Sequence, residues 1–201
     1  MIALIVDPEL LDAVAVPPVT ITRAVVVAAR APWQFGAAVA AVTSRGMLPG
    51  FGFGAAVAAM MEPPQVWPIE LSATLWPRDR EFAAPGGATF LQLTGGAALC
   101  PRLVAGVSAC LGAQAGELRA IGFGYDQNQS QRQFLVDATA ELRLDWSLRD
   151  GPLAIGARIG IGTWVPFSRP RFVFRDAGQD VPVYQPASAS LVSELALWAH
   201  F

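Results

Sequence analysis

The chain has no lysine, a single histidine, two cysteines and few charges of either sign. Each scarcity excludes something. All 14 basic residues are arginine, and against 16 acids they leave a formal net charge of -2, so there is no basic surplus with which to grip nucleic acid. The one histidine, His200, is next to the last residue, which leaves no histidine-based triad for the rest of the chain. Two cysteines allow at most one disulfide, which suits an oxidising compartment without requiring one. Charged residues make up 15% of the sequence, where a soluble domain carries roughly 25%. Apolar residues make up 53%, and the mean hydropathy is +0.42. Yet long hydrophobic runs are missing too. A spanning helix needs roughly 20 apolar residues, whereas the apolar pieces here are mostly about ten long, the length of a tilted spanning strand. The start, MIALIVDPELL, has no basic stretch before its apolar one and does not read as a signal peptide.

What is there instead is alternation. From Phe134 to Leu148 every second residue is apolar: Phe134, Val136, Ala138, Ala140, Leu142, Leu144, Trp146 and Leu148. Between them lie Asp137, Thr139, Glu141, Arg143, Asp145 and Ser147. That is the period of a strand. Three acids and one arginine on one face are too many charges for a dry core unless they are paired. Two settings fit: a sheet face in bulk water, or the wet interior of a barrel whose outside meets lipid.

The same period recurs along the chain. Residues 1–32 are the least regular and are read as a leader or the remnant of an upstream segment, possibly partly helical, with a break at Pro17-Pro18. Residues 33–201 hold eight alternating runs. The first spans Trp33 to Val42 and returns through Gly46-Met47-Leu48-Pro49-Gly50 into GFGFGAAVAAMM. The AAVAA pieces also suit short helices, but glycines spaced two apart argue against that. Further runs start near Ile69, Thr89, Val104, Phe134, Ile155 and Ser190, with polar loops expected at 77–87, 119–132 and 166–185. Links that alternate long and short, the long ones growing along the chain, predict an antiparallel up-and-down barrel with both chain ends at the short-turn rim. The fold class expected is all-β: an eight-stranded transmembrane β-barrel.

Residue type separates inside from outside. One face of all eight runs is Ala, Val, Leu, Ile and Phe. The other mixes small residues with Glu70, Asp137, Glu141, Arg143, Asp145, Arg158 and Glu194. Turned outward, that second face is a poor soluble surface. Turned inward, its glycines and alanines make room for the charges, which pair across the lumen. A two-residue Asp150-Gly151 turn would set Arg143 opposite Arg158, so Asp137, Glu141, Glu70 or Glu194 should surround them. The tryptophans lie near strand ends, as interfacial ones do.

Little of this reads as chemistry. At the short-turn rim His200 is remote from the long loops, and Ser193 faces the other way. The acids Asp137, Glu141 and Asp145 could line a cation path, but they read first as a structural salt-bridge network. No metal site is expected, since neither His or Cys partners nor a compact acidic loop accompanies them. GFGFG and IGFGYD lack the lysine or the strand-to-helix context of a phosphate loop, and no cofactor is expected. Cys100 and Cys110 both fall on the lumen side and are read as a disulfide, the alternative being two small unpaired fillers. In the longest loop Arg169, Arg171 and Arg175 offer charge-assisted donors to an anionic partner beyond the barrel.

The pattern resembles the small bacterial outer-membrane barrels of the OmpA and OmpX class. SLVSELALWAHF is similar to their C-terminal assembly signal, with Phe201 as the closing aromatic. MLPGFGFG, ELSATLWPRDRE, CPRLVAGVSACLGAQAGELRAIGFG and FSRPRFVF resemble stretches of uncharacterised outer-membrane barrels of myxobacteria. The resemblance covers 33–201. It implies a monomeric protein of the bacterial outer membrane, not an enzyme, with a structural or surface-interaction role. Its partners would be membrane lipid, lipopolysaccharide and the outer-membrane assembly machinery. Two alternatives stay open: a narrow small-solute or ion channel, and a soluble barrel that binds an apolar ligand.

Overall fold

The computed structural model describes residues 33–201 apart from 65, 84, 85, 125–129 and 177. The expected leader at 1–32 lies outside the described residues. The strands are β1 (Gln34–Arg45), β2 (Phe51–Glu62), β3 (Ile69–Ala83), β4 (Gly86–Leu99), β5 (Arg102–Val104), β6 (Val107–Phe123), β7 (Ser130–Arg149), β8 (Ala154–Pro166), β9 (Phe172–Asp176), β10 (Gln179–Tyr184) and β11 (Ser190–His200).

Eight of them close on themselves. The order runs β4-β3-β2-β1-β11-β8-β7-β6, and β4 pairs with β6 to complete the ring. Every barrel neighbour is antiparallel. Closure removes the unpaired edges that a polar backbone could not tolerate in lipid. The short β5 rides on β6 within the link after β4, and β9 and β10 form a separate hairpin in the link after β8.

Alternation decides what faces where. Val39, Val57, Leu71, Leu93, Leu111, Leu142, Ile161 and Leu195, from the eight barrel strands, are each between 50% and 65% exposed. Their neighbours one step along the strand point into the lumen, where Glu70, Thr74, Gln92, Gln114, Asp137, Arg143 and Arg158 are buried. The apolar face is outside and the charged face inside, the reverse of a soluble barrel.

Several connections differ from expectation. The loop expected at 77–87 is mostly strand: β3 and β4 stay paired to Ala83 and Gly86, with an irregularity between Trp76 and Asp79. The loop expected at 119–132 shrinks likewise, since Ile121 pairs with Ser130. These segments are polar because they rise beyond the apolar band, not because they leave the sheet. The long-rim links therefore do not grow steadily. The Asp150-Gly151 connection is also longer than two residues: residues 150–153 link β7 to β8, and a bulge falls between Ser147 and Arg149. The register shifts by two, so Arg158 faces Asp145 and Arg143 faces Gly160. The repulsive Arg143–Arg158 opposition does not arise.

Candidate functional site: the barrel lumen

Arg143 on β7 is the centre of the lumen half nearer the short-turn rim. Its Nη1 donates to Glu70 Oε2 at 2.6 Å and its Nη2 to Glu70 Oε1 at 2.9 Å, a bidentate pair across the barrel. Nη2 also donates to Glu141 Oε2 at 2.9 Å, and Nε lies 3.5 Å from Glu194 Oε1. Arg158 on β8 reaches the same Glu70 at 3.1 Å and holds Asp145 at 2.8 Å. Glu70 thus bridges two guanidinium groups. A planar fork of donors suits this role, and burial on every side strengthens each bond relative to water.

The strands make room for the cluster through small residues. A Cβ at position 160 would lie 2.2 Å from Glu141 Oε1 and 2.6 Å from Glu194 Cγ. The missing Cβ leaves the space in which the two carboxylates converge on Arg143. Asp137 is in the lumen but apart from both arginines, and accepts from Gln114 Nε2 at 3.2 Å. Of the seven expected lumen residues, six meet in one cluster and Asp137 does not.

The other lumen half is mainly apolar, with Gln92 buried among its rings and donating to Met47 Sδ at 3.5 Å. Trp76, Phe90, Leu118, Leu135 and Val192 from the barrel wall pack with Phe172 and Phe174 of β9. Phe172 and Phe174 are 0% and 1% exposed, although they belong to the longest link. Phe90 meets the Phe172 ring at 5.5 Å and the Tyr184 ring at 5.1 Å, both steeply inclined edge contacts. Gln131 Nε2 donates to Val173 O at 2.8 Å, and Tyr184 donates to Gly46 O at 3.2 Å, fixing the hairpin to β7 and to the first turn. Met47 and Leu48 of that turn are also buried. Sequence reasoning treated the hairpin as an outer loop and missed the plug. The signal was there in Phe172, Val173 and Phe174, an apolar run in a segment read as solvated.

Between the halves lies a space of about 70 Å³ bordered by Glu70, Arg143, Glu194, Thr74 and Trp164. At the short-turn rim a vestibule of about 420 Å³ opens over the charged cluster, lined by Met60, Glu62, Arg102, Asp145, Trp198 and His200. Cys100 and Cys110 are disulfide-bonded there, and Arg143 Nη1 donates to Cys100 Sγ at 3.7 Å. His200 Nδ1 is 3.7 Å from Glu62, and Ser193 is turned to the outer surface against Thr43. Among the described residues no group of three His, Cys, Asp or Glu side chains could hold a metal.

The outer-loop arginines are spread out. Arg169 Nε donates to Pro186 O at 2.8 Å, so it braces its own loop. Arg171 is exposed, and the side chain of Arg175 lies outside the described residues. Phe201 exchanges backbone hydrogen bonds with Phe35 at 2.9 and 3.2 Å, extending the β1–β11 seam. Trp33, Trp67 and Trp146 are exposed, whereas Trp76, Trp164 and Trp198 point into the lumen and form no girdle.

No protein-family model and no curated protein matches the chain. Solved structures do. The barrel is similar to a major outer membrane protein of Thermus thermophilus, with a TM-score of 0.54 and 13% identity over 85% of this chain and 100% of that one. It is also similar to the N-terminal β-barrel domain of OprF from Pseudomonas aeruginosa, with a TM-score of 0.44 and 11% identity over 85% and 100%. Neisserial surface protein A gives a TM-score of 0.42 and 10% identity over 84% and 95%. At these identities the Thermus likeness speaks for the fold alone, an eight-stranded outer-membrane type of barrel. Nothing in the comparisons supports the nearer likeness to myxobacterial proteins.

Proposed function

We propose that the protein is a non-enzymatic, monomeric β-barrel of the bacterial outer membrane, with a structural or surface-interaction role and a closed lumen. The observation that carries the proposal is the inverted sheet: exposed Leu, Val, Ile and Phe on the outside of all eight strands, and buried carboxylates and guanidiniums within. Water would not tolerate the first face, nor a dry core the second unless paired. Phe201 would serve the assembly machinery as a terminal signal, and Arg169, Arg171 and Arg175 would meet lipopolysaccharide at the long-link rim. Residues 1–32 would be a leader or the end of a periplasmic segment preceding the barrel.

The test is refolding with and without detergent, followed by far-UV circular dichroism and an unheated gel. Strand signal and a heat-sensitive gel shift in detergent alone support the proposal. A folded monomer in plain buffer sinks it in favour of a soluble barrel.

One feature favours a narrow ion path as a second reading. Among the described residues Glu70, Glu141, Glu194 and Asp145 pair with Arg143 and Arg158, an excess of acid. In planar bilayers a closed lumen gives no steps, whereas a cation path gives steps that persist when chloride is replaced.

A further inference from the structure

The outward face of β7 is apolar from Phe134 through Val136, Ala138, Ala140, Leu142 and Leu144 to Trp146. At about 3.3 Å per residue and a tilt near 40°, this run is roughly 30 Å tall, the thickness of a hydrocarbon core. Directly beyond it, toward the long-link rim, the outward face changes character. Arg132 on β7 and Arg119 on β6 are register partners, so two guanidinium groups leave the same level of the wall side by side. Cross-strand neighbours of like charge repel. Among the described residues what neutralises them is slight. There Arg132 pairs with Glu117 at 3.5 Å, with both side chains about half exposed or more. Arg119 Nε donates to the Ser130 hydroxyl at 3.3 Å, a neutral partner. One outward step below Arg132 lies Phe134, 69% exposed, and one step further, beside Val136 on the β8 side, lies Phe167, 75% exposed, whose N–H bonds Val136 O.

We infer that Arg119, Arg132 and Ser130 form a binding site for the phosphate of a membrane lipid on the outer wall of the barrel, with Phe134 and Phe167 beneath it against the acyl chain. A tetrahedral phosphate accepts from two guanidinium groups at once and removes their repulsion, and the Ser130 hydroxyl supplies a third donor. The height fits a headgroup at the edge of the apolar band. The site is distinct from the loop arginines at 169, 171 and 175. The inference rests on the membrane reading proposed above.

The experiment uses the full chain refolded into phosphatidylcholine vesicles containing one tenth phosphatidic acid, then extracted in a neutral detergent for native mass spectrometry. The wild type should retain one phosphatidic acid. The double variant R119Q/R132Q should retain about tenfold less or lower, two charge-assisted contacts being lost. E117Q should retain more, since Glu117 competes with the phosphate for Arg132. R171Q should match the wild type. Excess inorganic phosphate should leave the bound lipid in place, because it lacks the acyl chain that packs on Phe134 and Phe167. Equal retention by wild type and R119Q/R132Q overturns the inference, as does a loss in R171Q of the same size. Displacement by inorganic phosphate overturns the lipid as ligand and leaves a plain anion site. Because the gel shift on heating is read on the same samples, loss of the membrane fold is told apart from loss of the site.

Discussion

The lumen half nearer the short-turn rim and the half nearer the long-link rim are lined by the same strands, yet they are filled by different means. In the first, two arginines are held by four carboxylates with Glu70 shared between them. In the second, rings from β3, β4 and β8 meet rings from a hairpin that the barrel does not need for closure. The ionic half is built from directed bonds, so removing one member strands the others. The aromatic half is built from packing, so removing one member leaves a hole that neighbours partly fill. The same period-two wall supports both, because the lumen constrains size more than polarity.

Substitutions sharpen the contrast. The largest effect is expected from Glu70→Ala, which leaves Arg143 and Arg158 without their shared partner. It should lower stability by about 3–5 kcal/mol in urea unfolding from vesicles, and a loss below 1 kcal/mol (roughly the value of an exposed pair) would show that charge does not hold that half. Phe90→Ala should cost about 3 kcal/mol, the low end for a buried ring, because Phe172 and Tyr184 sit on a hairpin that can settle inward. Its effect should not change with salt. Gly122→Ala places a Cβ 2.6 Å from the Phe174 ring. Overpacking of about 1–2 kcal/mol is expected, together with faster protease cleavage in 167–189 while the barrel's gel shift persists. An unchanged cleavage rate would mean that β9 does not depend on that contact. The smallest effect is expected from Arg102→Gln. Arg102 grips Glu62 at 2.7 Å with two-thirds of its side chain exposed, so the loss should be under about 1 kcal/mol and should fade in 1 M salt, where screening acts within about 3 Å. The Glu70→Ala loss should persist in the same salt.

How far the sequence showed all this follows from the same contrast. A charge in an alternating run is visible as a charge, so Glu70, Glu141, Arg143, Asp145, Arg158 and Glu194 could be named from their parity alone. What parity cannot carry is register. Leu148 and the four-residue link after Arg149 shift β8 by two positions, and the residue facing Arg158 becomes Asp145. Strand ends were misjudged where pairing outlasts the apolar band, as at Arg80↔Thr89, because a polar strand and a polar loop look alike in composition. The plug was least legible. Phe172 and Phe174 also alternate, but the five residues of β9 are too short to separate from a loop, and Phe90, which meets Phe172, is distant in sequence.

The seam of the barrel joins strands from opposite ends of the described chain. β1 and β11 pair along ten register positions from Gly36↔His200 to Arg45↔Leu191, and Thr43 and Ser193 share a hydroxyl bond across it at 2.8 Å. No local hairpin brings these two strands together. Until they meet, every partly formed sheet has two raw edges, each a template for the wrong neighbour. Closure therefore requires the pairing with the longest intervening chain, and that pairing carries the largest loop-closure cost in the barrel. A peptide copying β11 should act as a decoy in refolding, slowing the appearance of the compact band without altering the stability of barrels already closed.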